Sequence, residues 1–358
     1  MPAAGPITGR REGIQVVVII GVDPHKGSHT AVAVDDREEE ISRVTVRATV
    51  RQLDQLRRWA TPFEERVWAI ESAGGLGYLL AQQLVAAGES VVDVPATLAA
   101  RVRLLGTGRS NKNDPNDARS VAVAALRSTT PTPVHAADHA AVLRLLAKRN
   151  LDLGRERNRV ACRLHVMISE LVPGGITKEI TASHAELVLA EVRPTVAIDV
   201  ARLAMAQELL VDLRRLDGQK AEIKRRITQA VAASKTSVTD VFCVGPIIAS
   251  LIIAYTGDVR RFGNRHQFAA YNGTAPIEVS SAGRVVHRLS RRGNRPLNYA
   301  IHMAAVGQIR HPHSDGRAFY DRKVTEGKTN REALRALKRR VSDAVYHQLL
   351  IDADRRQG

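Results

Sequence analysis

Four acids stand where buried strands should end or a helix should begin: Asp23, Glu71, Asp114 and Asp117. Asp23 closes an apolar, β-branched run over residues 14–23, so its carboxylate projects just past the core at a strand's C-terminal end. Glu71 does the same after Val67-Trp68-Ala69-Ile70. If the two strands are neighbours, both carboxylates converge at one edge of a sheet. Asp114 and Asp117 lie three apart at a helix start and share one helix face. Hard oxygens gathered in this way can hold two Mg²⁺ ions about 4 Å apart, one for the attacking and one for the leaving oxygen of a phosphoryl transfer. Each acid also has a plain local explanation. Asp114 before Pro115 is a good N-cap with proline at N1, and Asp117 sits where a capping box places its acid. Asp23 before Pro24 suits a turn, and Glu71 before Ser72-Ala73-Gly74-Gly75 suits a loop.

These acids lie in a strongly basic chain. The 358 residues carry 53 Lys and Arg against 37 Asp and Glu, a formal net charge of +16. That excess predicts salt-sensitive affinity for phosphate backbones, although a ribosome-associated or merely soluble basic protein would share it. Aromatics make up 4% of the residues, which argues against recognition through extensive base stacking. The two cysteines, Cys162 and Cys243, are far apart with no His or Cys at metal-ligand spacing, so neither a disulfide framework nor a structural zinc is expected. The apolar run at residues 15–22 is too short to span a membrane. Arg10 and Arg11 precede it, but no small-residue cleavage site follows, and a cytoplasmic location is expected.

The elements that would position the acids follow from periodicity. Residues 1–13 read as a tail. A strand over 14–23 is followed by alternating strands over 28–35 and 41–50, giving a meander. A helix over 52–60, a strand over 66–71, a helix over 77–87, a strand over 90–94 and a helix over 114–126 complete a mixed sheet covered by helices. Thr-Pro-Thr-Pro in 127–135 marks a boundary after about residue 130. Residues 137–235 carry helical periodicity broken at Pro173-Gly174-Gly175, as expected of an antiparallel, coiled-coil-like arm or an ordinary bundle. Residues 237–358 read as a mainly helical C-terminal domain that opens with a helix-turn-helix pattern over 241–255, broken at Gly245-Pro246.

Within that last segment a polar loop, residues 276–283, holds Ser280 and Ser281 and is followed by Arg284, Arg288 and Arg292. A serine nucleophile acting on phosphate needs exposure and nearby cations, and this loop offers both. Turn geometry alone is the plainer reading of its residues. The arginine-rich stretches at 144–163 and 331–340 could lie along nucleic acid or form solvated charged faces.

The runs Gly21-Val22-Asp23, Ile70-Glu71-Ser72-Ala73-Gly74 and Asn113-Asp114-Pro115-Asn116-Asp117-Ala118-Arg119 together resemble the RuvC-like domain of the DEDD insertion-sequence transposases, the IS-one-ten family. Downstream, Val244-Gly245-Pro246, Gln267-Phe268-Ala269-Ala270 and Gly273-Thr274-Ala275-Pro276 resemble that family's C-terminal transposase domain. The resemblance implies a ribonuclease-H-like α/β fold for residues 14–130, with Asp23, Glu71, Asp114 and Asp117 as ligands of Mg²⁺. It further implies a nucleophilic serine that forms a covalent phosphoserine link to DNA. Counted from Pro276, Ser281 falls on the family's position, with Ser280 as the alternative; Arg284, Arg288 and Arg292 are candidates for phosphate contacts. Target and donor DNA, a structured guide (bridge) RNA and a homo-oligomer, dimer or tetramer, are the implied partners. Two other functions fit the same residues: a junction-resolvase-like nuclease using water as nucleophile, and a non-catalytic nucleic-acid-binding scaffold.

Overall fold

The computed structural model describes residues 17–107, 114–281, 284–289 and 293–355. The chain divides into two compact units, residues 1–137 and 138–358.

The first unit is a six-stranded mixed sheet with helices on both faces. In chain order its elements are β1 (Val18–Pro24), β2 (Ser28–Val34), β3 (Glu40–Arg47), α1 (Gln52–Trp59), β4 (Arg66–Glu71), α2 (Tyr78–Ala86), β5 (Val91–Val94), α3 (Ala96–Thr107), α4 (Asp114–Leu126) and β6 (Thr132–Pro133). The strands lie in the order β3-β2-β1-β4-β5-β6. β1, β2 and β3 form the antiparallel meander, while β4 and β5 run parallel to β1. A three-stranded meander followed by two parallel crossover strands is the ribonuclease-H-like arrangement. Side chains alternate across a sheet, so β1 feeds two cores. Ile20 and Val22 pack with Trp68, Ile70, Leu56, Leu80 and Leu84 beneath α1 and α2. Ile19 and Ala69 pack on the other face with Ala118, Val121, Ala122 and Ala125 of α4.

Three features here were not expected. The helix α3 occupies residues that carried no assignment. The Thr-Pro stretch is no free linker, because β6 pairs antiparallel with β5 through Val92–Pro133 and Asp93–Thr132. The third strand stops at Arg47, and residues 48–51 turn into α1.

The second unit begins with α5 (His139–Leu171), α6 (Ala182–Glu191) and α7 (Ala197–Ala233). The helical periodicity expected over 137–235 is broken a second time, between α6 and α7, where Pro194 cannot donate its backbone N–H. α5 and α7 are antiparallel. The His139 ring contacts the Ala230 carbonyl at 2.8 Å, Arg157 donates to Asp217 at 2.5 Å and Arg202 donates to Glu170 at 2.9 Å. Next come α8 (Pro246–Thr256), α9 (Arg265–Tyr271), a hairpin of β7 (Pro276–Ser281) and β8 (Arg284–Leu289), then α10 (Arg295–Arg310), α11 (Asp315–Thr325) and α12 (Asn330–Arg355). One core joins Leu143, Leu153, Ile223 and Ile227 of the long pair to Ile252 of α8, Phe268 of α9, Ile301 of α10 and Val345 of α12. Ahead of α8 there is only a 3-10 turn at Val238–Asp240, so the anticipated helix-turn-helix lacks its first helix. Gly245 and Pro246 are instead the N-cap and first residue of α8. Among the described residues no helix is long and apolar enough to cross a membrane.

Candidate metal centre

Strand register places the first two acids side by side. β1 and β4 are adjacent and parallel with Val22 opposite Ile70, so Asp23 and Glu71 are the next residues on each strand, at the same C-terminal edge. Alternation puts both on the face covered by α4, where Ile19 and Ala69 already pack. Past Glu71 the chain leaves the sheet abruptly: Ser72 takes φ +51°, and the Gly75 amide donates to the Ser72 carbonyl at 2.7 Å. Asp93 holds this turn by accepting from the Ala73 amide at 2.6 Å.

The other two acids arrive through α4. A Cβ on Gly21 would stand 2.5 Å from the Ala122 backbone nitrogen, so glycine is what lets α4 lie directly on β1. On its far side, α4 is tied to the β2–β3 turn, where Arg119 donates to the Glu38 carbonyl at 2.7 Å and Arg127 to the Glu38 carboxylate at 2.6 Å. With α4 seated this way, its first turn brings Asp114 and Asp117 over the edge that carries Asp23 and Glu71.

Two residues passed over in the sequence complete the arrangement. The His25 Nε2 lies 3.0 Å from Asp23 Oδ2 and 3.5 Å from Asp114 Oδ1, bridging the sheet acid and the helix acid. One ligand atom from each of Asp23, His25 and Asp114 can be chosen so that all lie within 4.8 Å of one another. Arg103 of α3 is ion-paired with Asp117. A His two residues past a strand-end acid is a visible signal; an Arg fourteen residues before its acid, on an unanticipated helix, is not.

Glu71 and Asp117 stand outside the tightest group, but their charges reach it. Asp23, only 5% exposed, has its carboxyl pushed above the usual range by burial and by the Asp117 and Asp114 charges, with His25 opposing. The Glu71 carboxyl is likewise pushed up by burial, Asp23 and Asp117, against Arg103 and His25. Four acids facing one His and one Arg form a site short of positive charge. Such a hard-oxygen set, with one imidazole, fits a divalent cation.

The serine segment belongs to the second unit. Residues 276–281 are a strand rather than the expected loop, paired with β8 so that Ser280 is opposite Val285, Ser281 opposite Arg284 and Ile277 opposite Arg288. Arg292 lies outside the described residues.

Comparison with known proteins bears on both ends of the chain. A DEDD-type transposase family profile of the IS110 group matches residues 20–173, and a second, described as transposase of the IS116/IS110/IS902 family, matches residues 236–321. An insertion element IS116 protein of Streptomyces clavuligerus is 26% identical over 92% of this chain and 94% of its own length. An insertion element IS900 protein of Mycobacterium paratuberculosis is also 26% identical, with the same coverages. A probable family 20 transposase of Pseudomonas aeruginosa is 28% identical over 56% of this chain and 61% of its own. Among solved structures, Thermus thermophilus RuvC in complex with a Holliday junction substrate aligns over 33% of this chain and 99% of its own at 17% identity, with a TM-score of 0.27.

Proposed function

The chain belongs to the IS110 family of DEDD-type transposases, and from that premise we propose that it cuts and rejoins DNA by metal-assisted serine chemistry. The observation that carries this reading is the convergence of Asp23 and Asp114 on His25, with Glu71 and Asp117 close enough to raise the charge burden. Asp23, Glu71, Asp114 and Asp117 would hold the cations, two Mg²⁺ by this reading, with the His25 ring nitrogen beside them. Bound there, Mg²⁺ supplies neutralisation of the scissile phosphate and a lowered pKa for the attacking hydroxyl.

Ser281 is the proposed nucleophile, with Ser280 the alternative. Its hydroxyl oxygen bonds to phosphorus, the bond from phosphorus to the leaving strand oxygen breaks, and the serine proton ends on that oxygen as a free strand hydroxyl. Attack by a second strand's hydroxyl on the phosphoserine reverses the step and restores the serine. Arg284, Arg288 and Arg292 are proposed to stabilise the phosphate charge. A structured guide RNA that pairs with target and donor DNA would supply sequence choice, leaving the protein to grip backbone shape. Strand exchange needs several active sites, so the working form is proposed to be a dimer or tetramer.

Trapping tests the chemistry. Incubated with Mg²⁺ and its DNA, the protein should form a covalent protein–DNA adduct that disappears in Ser281→Ala. Glu71→Gln and Asp114→Asn should lower adduct formation at least about a hundredfold. Cleavage without an adduct would instead make water the nucleophile, and unchanged activity in the acid variants would leave only a binding scaffold. The guide is tested by sequencing RNA that co-purifies with the protein expressed beside its flanking DNA. One uniform transcript from that flank supports it, and heterogeneous cellular RNA removes it.

A further inference from the structure

A second site lies wholly within the helical unit. A trough of about 870 Å³ opens where α5 and α7 meet the first turns of α8 and α10. It lies beside the seam of the long helices, which stays packed there through Leu153, Leu216 and Ile223. Their seam is apolar on either side, with Leu143, Leu146 and Leu153 before Leu164 and Ile168 on α5, and Leu210, Leu213 and Leu216 before Ile223 and Ile227 on α7. At the trough Lys220 stands four residues after Leu216 and three before Ile223, where the stripe calls for an apolar side chain. Across from it α5 has Gly154, and a Cβ there would meet nothing within 4 Å. A mid-helix glycine costs about 1 kcal/mol relative to alanine. Nothing in the packing requires this one.

The trough gathers charges of one sign into a single concavity. Arg155, Lys220, Lys224 and Arg295 line it, and no acid does. Several other cations of the pair do have acid partners: Arg157 with Asp217, Arg214 with Glu186, Arg215 with Asp212, Arg225 with Glu222. Among the described residues, Lys220, Lys224 and Arg295 have no carboxylate partner, and Arg155 has only the exposed, sequence-local Asp152. Lys220 and Lys224 are four apart on one helix, an arrangement that repels by a few tenths of a kcal/mol. Besides Asn150 and Asn158, the lining between these cations includes Leu151, Ile247 and Pro296, and Tyr299 of α10 is 48% exposed.

Cations around an apolar, aromatic-bearing lining match an unpaired nucleic-acid strand, which offers both phosphates and bare base faces. A duplex would present phosphates and leave the lining unused. The α5 side of the trough runs from Asn150 to Asn158, about 12 Å at the helical rise per residue, too long for a single phosphate. We propose that this trough binds a single-stranded nucleic-acid segment, its phosphates on Lys220, Lys224, Arg155 and Arg295 and a base stacked on Tyr299. DNA and RNA share that chemistry. The proposal rests on the transposase reading only in choosing nucleic acid among polyanions, and it needs neither the metal centre nor Ser281.

The test uses the full chain in EDTA over a salt series, with labelled single-stranded DNA and single-stranded RNA measured against excess unlabelled duplex, and labelled duplex measured without competitor. In the triple variant Lys220→Gln, Lys224→Gln, Arg295→Gln, the slope of log affinity against log salt for the preferred single strand should fall by about 2, from roughly 0.7 per lost phosphate contact. Tyr299→Leu should weaken single-strand binding at least about fivefold with the slope unchanged, and Tyr299→Phe should restore it. Whichever of DNA and RNA shows these losses is the strand held. An unchanged slope in a folded triple variant, or equal losses for duplex, overturns the proposal. Binding in EDTA needs no strand chemistry, so a failed adduct assay leaves this result standing, and the reverse also holds.

Discussion

At the scale of single residues, His25 is the least expected member of the candidate metal centre. Its Nε2 faces Asp23 and Asp114 together, at 3.0 and 3.5 Å, so it lends an imidazole to an otherwise oxygen-only set. Nitrogen donors favour later transition metals over Mg²⁺. In His25→Ala, Co²⁺ binding followed by visible absorption should therefore weaken about tenfold, while Mg²⁺ binding by calorimetry moves less than about twofold. Equal shifts for the two ions would remove His25 from the ligand set. Of the residues that build this centre, the four acids were legible in the chain because each sits at a local strand end or helix start. Arg103 and the turn-holding Asp93 were not, since their roles depend on which element lies opposite; His25 left a signal, two residues past Asp23, that was passed over.

Elements act here through how closely they approach. α4 rests on β1 because Gly21 has no side chain, and that contact sets where Asp114 and Asp117 arrive. Gly21→Ala should force helix and strand apart and destabilise the first unit by about 1–3 kcal/mol. Adduct formation should fall further than the folded fraction does, as measured by circular dichroism on the same samples. Full activity in a folded Gly21→Ala protein would show that the helix position is not critical. A second constraint anchors β4 and thereby Glu71. Glu89 accepts from Arg66 at 2.7 and 2.9 Å, from Trp68 Nε1 at 2.9 Å and from Arg57 at 3.2 Å. Burial alone would raise its carboxyl, but the bonds from Arg66 and Trp68 outweigh that and hold it below the usual range.

At the scale of the whole molecule, the two units can be followed separately. Both tryptophans, Trp59 and Trp68, lie in the first, so their fluorescence reports that unit alone. Glu89→Gln leaves Arg66 without its buried charge partner, a loss of about 3 kcal/mol. The fluorescence transition should drop by roughly 10 °C. Because the native carboxyl releases its proton more readily than the unfolded one, the unfolded state binds more protons on acidification. The Glu89 contribution is thus complete above pH 4.5 and fades as pH falls through the lowered native value. A fluorescence-monitored pH series should show that slope in the unaltered protein and a flatter one in Glu89→Gln. An identical pH profile would mean Glu89 is equally ionised in both states.

The sequence by itself determined what depends on a few consecutive residues. Strand alternation, an acid closing an apolar run and the Asp114-Pro115 start of α4 each express sterics and hydrogen bonding within one or two turns of chain, while the +16 charge follows from composition alone. Local signals also misled where a distant partner decided the outcome. The Thr-Pro stretch became β6 because β5 offered an open edge, and the serine segment became a strand by pairing with residues 284–289. Only the tertiary structure decided that Asp23 and Glu71 lie side by side, through the parallel pairing of β1 with β4. It alone made the trough, whose walls come from residues as far apart as Asn150 and Tyr299. Contacts across such separations arise from packing whole elements, and no short stretch of chain encodes them.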